Sequence, residues 1–289
     1  MTEKNSRKGK PEKTQEGNPY DLPLEQHVFP NKSIKKIGGD LGGVEVFFLK
    51  KRKSERLRSD NPVFTAKRVW NKTTEDFFSE IDRAYQSLIS ELSYDKEDVF
   101  SLPTHSNEIL SRFYASLYAR SMLRENPNYG EKIDLFDVEP LDKDVVEYAE
   151  SVGYAMPTNE SFYRLINQPL AFQYWRSAME GLNGIRWGTL KAPIDTEFIV
   201  PDFFALKSFY IPVTSNIAFV PIFNGGNATY DEVATYNMHL IRQSKSYYFS
   251  KNILKAPVRR YSNFLITKII FGKAEKAIGG KEFSEFNQA

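Results

Sequence analysis

The chain contains no cysteine and only three histidines among its 289 residues. The absence of cysteine excludes disulfides, cysteine-ligated zinc, iron–sulfur clusters and thiol nucleophiles. Three histidines are too few for a histidine-rich metal centre. We therefore predict that the protein uses neither a metal ion nor another cofactor.

Long apolar runs are also missing. No uninterrupted apolar stretch reaches about 18 residues, the length that a membrane-spanning helix requires. The first residues, Met1 to Asn5, lack the apolar run of a signal peptide. The sequence thus predicts a soluble protein with a cytoplasmic location and no membrane partner.

Several common catalytic motifs are absent as well. The chain has no Walker A loop, no glycine-rich dinucleotide fingerprint, no Gly-x-Ser-x-Gly turn, no His-Glu-x-x-His helix and no EF-hand loop. These absences argue against the common nucleotide hydrolases, dehydrogenases, serine hydrolases and zinc proteases.

The net charge of +2 conceals an uneven distribution. Lys50 to Arg58 contains six basic residues and one acidic residue, whereas residues 59–244 contain 16 basic and 26 acidic residues. Residues 245–289 contain nine basic and three acidic residues. If the two basic segments meet in the fold, they form a surface that attracts a nucleic acid or another anionic ligand. Otherwise they are a solvated loop and a solvated tail.

The order of hydrophobic patterns predicts an α+β fold. It has an N-terminal short helix and strands, a central helical region, and a C-terminal antiparallel β region with a late helix. Predicted helices cover 30–37, 73–92, 107–124, 142–152, 159–180 and 230–243, the fifth bent or broken at Pro169. Predicted strands cover 44–49, 63–69, 187–190, 197–200, 209–213, 218–223 and 246–249.

Composition divides the chain into three parts. Residues 1–20 are polar and aperiodic, which predicts a disordered basic arm. Residues 21–254 are predicted to form a single α+β domain. Residues 255–289 are basic and interrupted by glycine, so they form either a docked helix or a flexible tail.

The first candidate site combines His27 with the lysines that follow it. Pro30 marks the start of a helix, and Lys32 and Lys35 lie in or beside its first turns. A helix N-terminus with nearby cations favours a phosphate, and a histidine beside it can transfer protons near neutral pH. The alternative is that His27 is structural and the lysines are solvated.

The second candidate lies in the segment Arg68 to Glu75. Alternation along a strand predicts that Arg68 and Trp70 share one face, and Glu75 falls in the first turn of the next helix. Arg68 as a phosphate ligand and Glu75 as a base would complete a site with His27. Alternatively, Trp70 anchors the core and Glu75 only complements the helix dipole.

Asp202 is a third candidate because it directly follows the apolar segment Phe198 to Pro201. Carboxylates at strand ends are often functional. An aspartate after proline is also ordinary turn chemistry, which is the competing interpretation.

The same segments resemble the family known as domain of unknown function 4238, whose members carry an N-terminal His-x-x-Pro signature. Here the signature is His27-Val28-Phe29-Pro30. The resemblance spans about residues 24–250 and continues through Lys32 to Lys36, Phe64 to Trp70, and Glu75. Where many members read Lys-Arg-Phe, this chain has Lys35-Lys36-Ile37. The family name implies no activity, but the resemblance implies that the His27 segment and the Arg68 to Glu75 segment form one recurring pattern.

These residues lead to a functional hypothesis with one alternative. The hypothesis is a metal-independent phosphodiester-cleaving enzyme that acts on nucleic acid, with His27 and Glu75 in catalysis and Lys32, Lys35 and Arg68 binding phosphate. The alternative is a non-catalytic module that binds nucleic acid or protein through the basic segments 50–58 and 245–289.

Overall fold

The fold is α+β, as the sequence predicts. The computed structural model describes residues 11–92, 102–128, 141–156, 158, 162–206, 209–221 and 226–258. The helices in these ranges are α1 (Asn31–Gly38), α2 (Lys72–Glu91), α3 (Ser106–Glu125), α4 (Lys143–Ser151), α5 (Phe162–Gly181) and α6 (Tyr230–Gln243). The strands are β1 (Glu25–His27), β2 (Val44–Phe48), β3 (Lys53–Leu57), β4 (Thr65–Lys67), β5 (Gly188–Lys191), β6 (Val200–Pro201), β7 (Ile211–Pro212), β8 (Ile217–Val220), β9 (Gly226–Asn227) and β10 (Tyr247–Ser250).

The strands form three sheets. Strands β1 and β4 make a short antiparallel ladder in which His27 is paired with Thr65. A four-stranded antiparallel sheet has the order β3-β2-β10-β6. The third sheet has the order β7-β8-β5-β9, and only its β5–β9 pair is parallel. The expected C-terminal antiparallel region is therefore split between two sheets.

Helix α3 is central to the core. Its buried residues lie on all sides of the helix, and it packs against both α2 and α5. A single buried apolar cluster contains residues from Phe29 to Phe249, so the N-terminal and C-terminal parts share one core. Helix α1 contributes Ile34 and Ile37 to this cluster, which fixes the helix that follows His27.

Helix bounds agree with the sequence patterns to within a few residues. Helix α2 begins at Lys72, one residue before the predicted start, because Asn71 is the N-cap and its side chain accepts from the Thr74 amide at 3.1 Å. Helix α5 is assigned without interruption and contains Pro169. The predicted break of this helix at Pro169 therefore does not occur.

Several predicted strands are shorter than expected, and others were missed. Residues 63–69 form a 3₁₀ turn, Pro62–Phe64, followed by the three-residue strand β4. The basic segment around β3 was read as a possible loop, but it forms the edge strand of a sheet. Its polar side chains suit an edge strand, whose outer side faces water.

Residues 11–20 differ from the predicted disordered arm. The backbone amide of Gln15 donates to Glu147 Oε1 at 2.9 Å, and the Tyr20 hydroxyl donates to Asp144 Oδ1 at 2.7 Å. Glu12 forms an ion pair with Arg164. Composition did not reveal these contacts, because each depends on a partner more than 100 residues away. Residues 1–10 and 259–289 lie outside the described residues.

Candidate functional site

His27 is held at the junction of strand β1 and helix α1. Its Nε2 atom lies 3.3 Å from the Ser59 carbonyl oxygen and 3.5 Å from the Asn31 side-chain nitrogen. That nitrogen itself donates to the Ser59 carbonyl at 3.1 Å. Since a carbonyl only accepts hydrogen bonds, the contact favours the tautomer with the proton on Nε2. Nδ1 is then the unprotonated nitrogen of the neutral ring.

The surroundings of His27 favour this neutral form. Burial lowers the pKa of His27 below its usual range, and the contact with the Ser59 carbonyl works in the opposite direction. The positive charge of Arg120 lowers the pKa further, while Glu75 and Glu25 raise it. The net lowering leaves an unprotonated imidazole at neutral pH, which is the form required of a general base.

Glu75 is oriented by a buried indole. Trp70 Nε1 donates to Glu75 Oε2 at 2.6 Å, and the Trp70 ring packs edge-on against Phe78 with centroids 5.8 Å apart. Gln26 fixes the Trp70 backbone, since its amide nitrogen donates to the Trp70 carbonyl at 2.7 Å. Trp70 is thus a core anchor, as one interpretation expected. Its indole also positions the Glu75 carboxylate, so the residue contributes to the candidate site as well.

Sequence reasoning missed an ion pair near this group. Arg120 of α3 donates to both carboxylate oxygens of Asp82 on α2, at 3.1 and 2.9 Å. The guanidinium also lies over the Phe78 ring, 4.7 Å from its centroid. Arg120 is 2% exposed, and its positive charge lowers the pKa of His27 through electrostatic repulsion of the imidazolium. The sequence signal that could have revealed this buried ion pair is an arginine that directly follows the apolar and small residues 113–119 of α3.

Arg68 lies in a different group of charges. Strand β4 ends at Lys67, and Arg68 adopts a positive φ of 45°, so strand alternation does not continue to Trp70. The Arg68 guanidinium is buried and donates to Glu150 Oε2 at 2.9 Å. The structure thus surrounds Arg68 with carboxylates, whereas Arg120 supplies the arginine charge that acts on His27. The expectation that Arg68 and Trp70 share a face was wrong.

The lysines of α1 differ in exposure. Lys32 and Lys35 are exposed, whereas Lys36 is half-buried and donates to the Ile89 carbonyl at 3.2 Å. Burial lowers the pKa of Lys36. Pro30 is the N-cap of α1 and offers no side-chain hydrogen bond to the first-turn amides. Lys32 and Lys35 are therefore the cations of this helix that remain on the surface.

Asp202 organises a turn between α6 and β10. Its two carboxylate oxygens accept from the backbone amides of Lys245 and Ser246, both at 2.8 Å, and of Tyr247 at 3.3 Å. Burial raises the pKa of Asp202, although these donors and Arg124 work against the rise. Asp202 therefore stabilises a turn more than 40 residues away in the sequence, rather than only the turn that follows Pro201.

The first basic segment and the described part of the second, residues 245–258, contribute strands to one sheet. Strand β2 lies between β3 and β10, so Phe48 is paired with Lys53 on one side and with Tyr247 on the other. The amide of Leu49 donates to the Ser246 carbonyl at 2.9 Å, which brings the 50–52 turn beside Lys245. From that turn, β3 runs to Leu57, two residues before Ser59, whose carbonyl contacts His27. A basic strand thus leads to the histidine.

The described residues contain no group of three or more side chains suited to holding a metal ion. Within the same ranges, no helix combines the length and apolarity needed to cross a membrane. No protein-family model matches the sequence, and neither a curated protein nor a solved structure matches it. The resemblance to domain of unknown function 4238 stays a prediction.

Proposed function

We propose that the protein is a phosphodiester-cleaving enzyme that acts on nucleic acid without a metal ion. The carrying observation is the imidazole of His27, which the Ser59 carbonyl and Asn31 orient and whose pKa burial lowers, with Glu75 and Arg120 close enough to influence that pKa. The basic strand β3, which ends two residues before Ser59, supports a polyanionic substrate.

The groups around His27 suit distinct roles in this reaction. The Nδ1 atom of His27 accepts the proton of the attacking hydroxyl or water as its oxygen bonds to phosphorus, and the Glu75 carboxylate stabilises the resulting imidazolium. The imidazolium then returns this proton to the leaving oxygen as the scissile phosphorus–oxygen bond breaks. Lys32 and Lys35 hold neighbouring phosphates, since both are exposed on helix α1, which begins four residues after His27. Arg68 is 3% exposed and paired with Glu150, so it would bind phosphate only after release from that pair.

Labelled single-stranded RNA and DNA, incubated with the full chain in EDTA and separately in Mg²⁺, test this proposal. Cleavage is expected in both buffers, and His27→Gln should slow it by about 10²-fold or more, the usual contribution of a proton-transfer group. His239→Gln is the matched control, because His239 is also a largely buried histidine with a lowered pKa. Absence of cleavage in both buffers, or full activity of His27→Gln, would refute the proposal.

A second candidate is non-catalytic nucleic-acid binding, which is favoured by the position of β3 and β10, from the two basic segments, in the same sheet. The variant Lys50→Ser/Arg52→Ser should weaken binding and reduce the salt slope by about one for each cation removed. Lys191→Ser/Arg83→Ser is its control, because it removes equal charge from other exposed positions. Anisotropy titrations at several salt concentrations measure both. Affinity that does not depend on salt, or that falls equally in the control, contradicts this candidate.

A further inference from the structure

Four buried charges meet beneath the N-terminal segment. Arg68 and Arg164 both donate to Glu150 Oε2, at 2.9 and 3.0 Å. Arg164 also pairs with Glu12, whose carboxylate lies 3.8 Å from Arg68. All four side chains are 4–6% exposed. Two arginines therefore share two carboxylates, one from helix α4 and one from the N-terminal segment.

The polar atoms of this cluster are incompletely satisfied. Arg68 Nε and Nη1 and Glu150 Oε1 are buried and have no hydrogen-bond partner among the described residues. Glu150 uses a single oxygen for both arginines, which leaves the other without a donor. Buried donors of this kind are costly, and they mark places where a polar ligand or water is accommodated. The Arg68 guanidinium has unused donors for an oxyanion.

A cleft opens beside the cluster. It encloses about 230 Å³, including its open mouth, and Arg164 and Glu150 are part of its wall. The enclosed part is only large enough for one water-sized molecule. With Glu12 in place, a larger ligand therefore has no room beside the arginines. Withdrawal of Glu12 would free the position that its carboxylate fills.

The segment that carries Glu12 is attached mainly by polar contacts. The Glu12 amide donates to the Tyr163 hydroxyl at 3.2 Å, and Gln15 and Tyr20 bond to carboxylates of α4. Residues 11–20 contain no helix or strand. Such contacts open locally at a lower free energy than the packed core does.

We propose that Arg68 and Arg164 form a binding site for a carboxylate ligand, and that Glu12 occupies this site as an internal substitute. Without Glu12, the cluster has two positive charges and the single negative charge of Glu150. A monoanion restores neutrality, as Glu12 does. The buried carboxylate of Glu147 lies three residues before Glu150 on α4, and its negative charge disfavours a dianion such as phosphate. This site includes neither His27 nor Glu75, on which the proposed cleavage depends, so its test below does not measure nuclease activity.

Chemical rescue in the full chain tests this assignment. In Glu12→Gly, sodium acetate or propionate should raise the melting temperature saturably, by about 3 °C or more at a tenfold excess over its dissociation constant. Sodium chloride at equal ionic strength serves as the reference. The wild type should show no saturable rise, because tethered Glu12 has a high effective concentration. Glu16→Gly is the matched control, since Glu16 is an exposed glutamate of the same segment.

Two results would overturn the proposal. The first is the absence of an acetate or propionate effect in Glu12→Gly, and the second is an equal effect in the wild type and Glu16→Gly. A larger effect of inorganic phosphate than of acetate would overturn the carboxylate assignment.

A second variant covers the case in which Glu12→Gly does not fold. Glu12→Gln keeps the length of the side chain and removes its charge, so acetate should displace it. Displacement exposes the segment, and trypsin should then cut after Lys13, which is exposed, several-fold faster in acetate than in chloride. An unchanged cleavage rate in Glu12→Gln would refute displacement.

Discussion

Trp70 donates a hydrogen bond of 2.6 Å from its indole nitrogen to the carboxylate of Glu75. The ring is 1% exposed, whereas Glu75 remains half-buried at the start of α2. The core thus determines the orientation of a carboxylate that raises the pKa of His27. The hydrogen bond from Trp70 to Glu75 therefore couples the packing of the core to the charge that acts on His27.

Trp70→Phe should therefore cost more than the loss of ring volume. The variant leaves the Glu75 carboxylate without its indole donor, and hydrogen bonds to charged groups contribute about 1.5–3 kcal/mol. Trp187→Phe is the comparison, because this equally buried indole donates to the neutral Ser111 hydroxyl at 2.9 Å. Urea unfolding should show Trp70→Phe to be less stable than Trp187→Phe by about 1 kcal/mol. Equal losses would mean that the charge of Glu75 contributes nothing.

The buried Arg120–Asp82 ion pair predicts that the single substitution Asp82→Asn strongly destabilises the fold. Asp82→Asn leaves a buried guanidinium without its counter-ion, which should lower the free energy of unfolding by about 3 kcal/mol. Asp76→Asn breaks the exposed pair with Lys72 on the same helix and should cost less than about 0.5 kcal/mol. Denaturant midpoints of the two variants measure the contrast. Similar midpoints would show that Arg120 finds another partner.

His27 predicts a loss of stability in mild acid. Its pKa in the folded state lies below 6.5, so the unfolded chain binds the proton more readily. Stability is fully present above pH 6.5 and falls as the pH drops towards the folded pKa. His27→Gln should make the free energy of unfolding fall less steeply between pH 7 and 5. Adding His239→Gln should reduce the slope further, because the pKa of His239 is also lowered. The raised pKa of Asp202 acts oppositely, so variants are compared with the wild type at each pH.

An NMR titration measures the His27 pKa directly. Its imidazole resonances should have a midpoint below 6.5 in the folded protein. A midpoint at or above that value would contradict the neutral base assigned to His27, whatever the unfolding data show.

Asp202→Ala separates structure from chemistry. It removes the acceptor of three backbone amides in the turn before β10, so the free energy of unfolding should fall by about 2–4 kcal/mol. Activity per folded molecule should not change. Asp195→Ala is the control, since Asp195 is exposed and pairs with the exposed side chain of Lys255; its effect should stay within about 0.5 kcal/mol. Loss of activity in folded Asp202→Ala would instead indicate that Asp202 belongs to the functional site.

Helices were predictable from sequence, whereas short strands were not. The apolar periodicity of α2 and the capping box of α6 are local signals, and both helices form where these signals lie. Strand β1 has only three residues, and its central residue, Gln26, is a fully buried amide. It is placed there by hydrogen bonds to residues 69 and 70, which a local pattern does not contain.

The candidate site was predictable only in part. The sequence drew attention to His27, Trp70 and Glu75, which the structure links through bonds and charge. It could not identify Arg120, because the importance of that residue depends on helix packing across the core. It also misplaced Arg68, since a single positive φ redirected the chain and strand alternation assumes that none occurs.

Strand β10 is the last strand of the described residues, yet it lies inside its sheet between β2 and β6. Tyr247 is paired with Phe48, so a ribosome adding 5–20 residues per second delivers the partner of β2 about 10–40 seconds after β2 itself. During this interval β2, with its apolar Val44 and Val46, has an open edge. The growing polypeptide is therefore most prone to aggregation before residue 250 emerges, and holding chaperones should be most needed then.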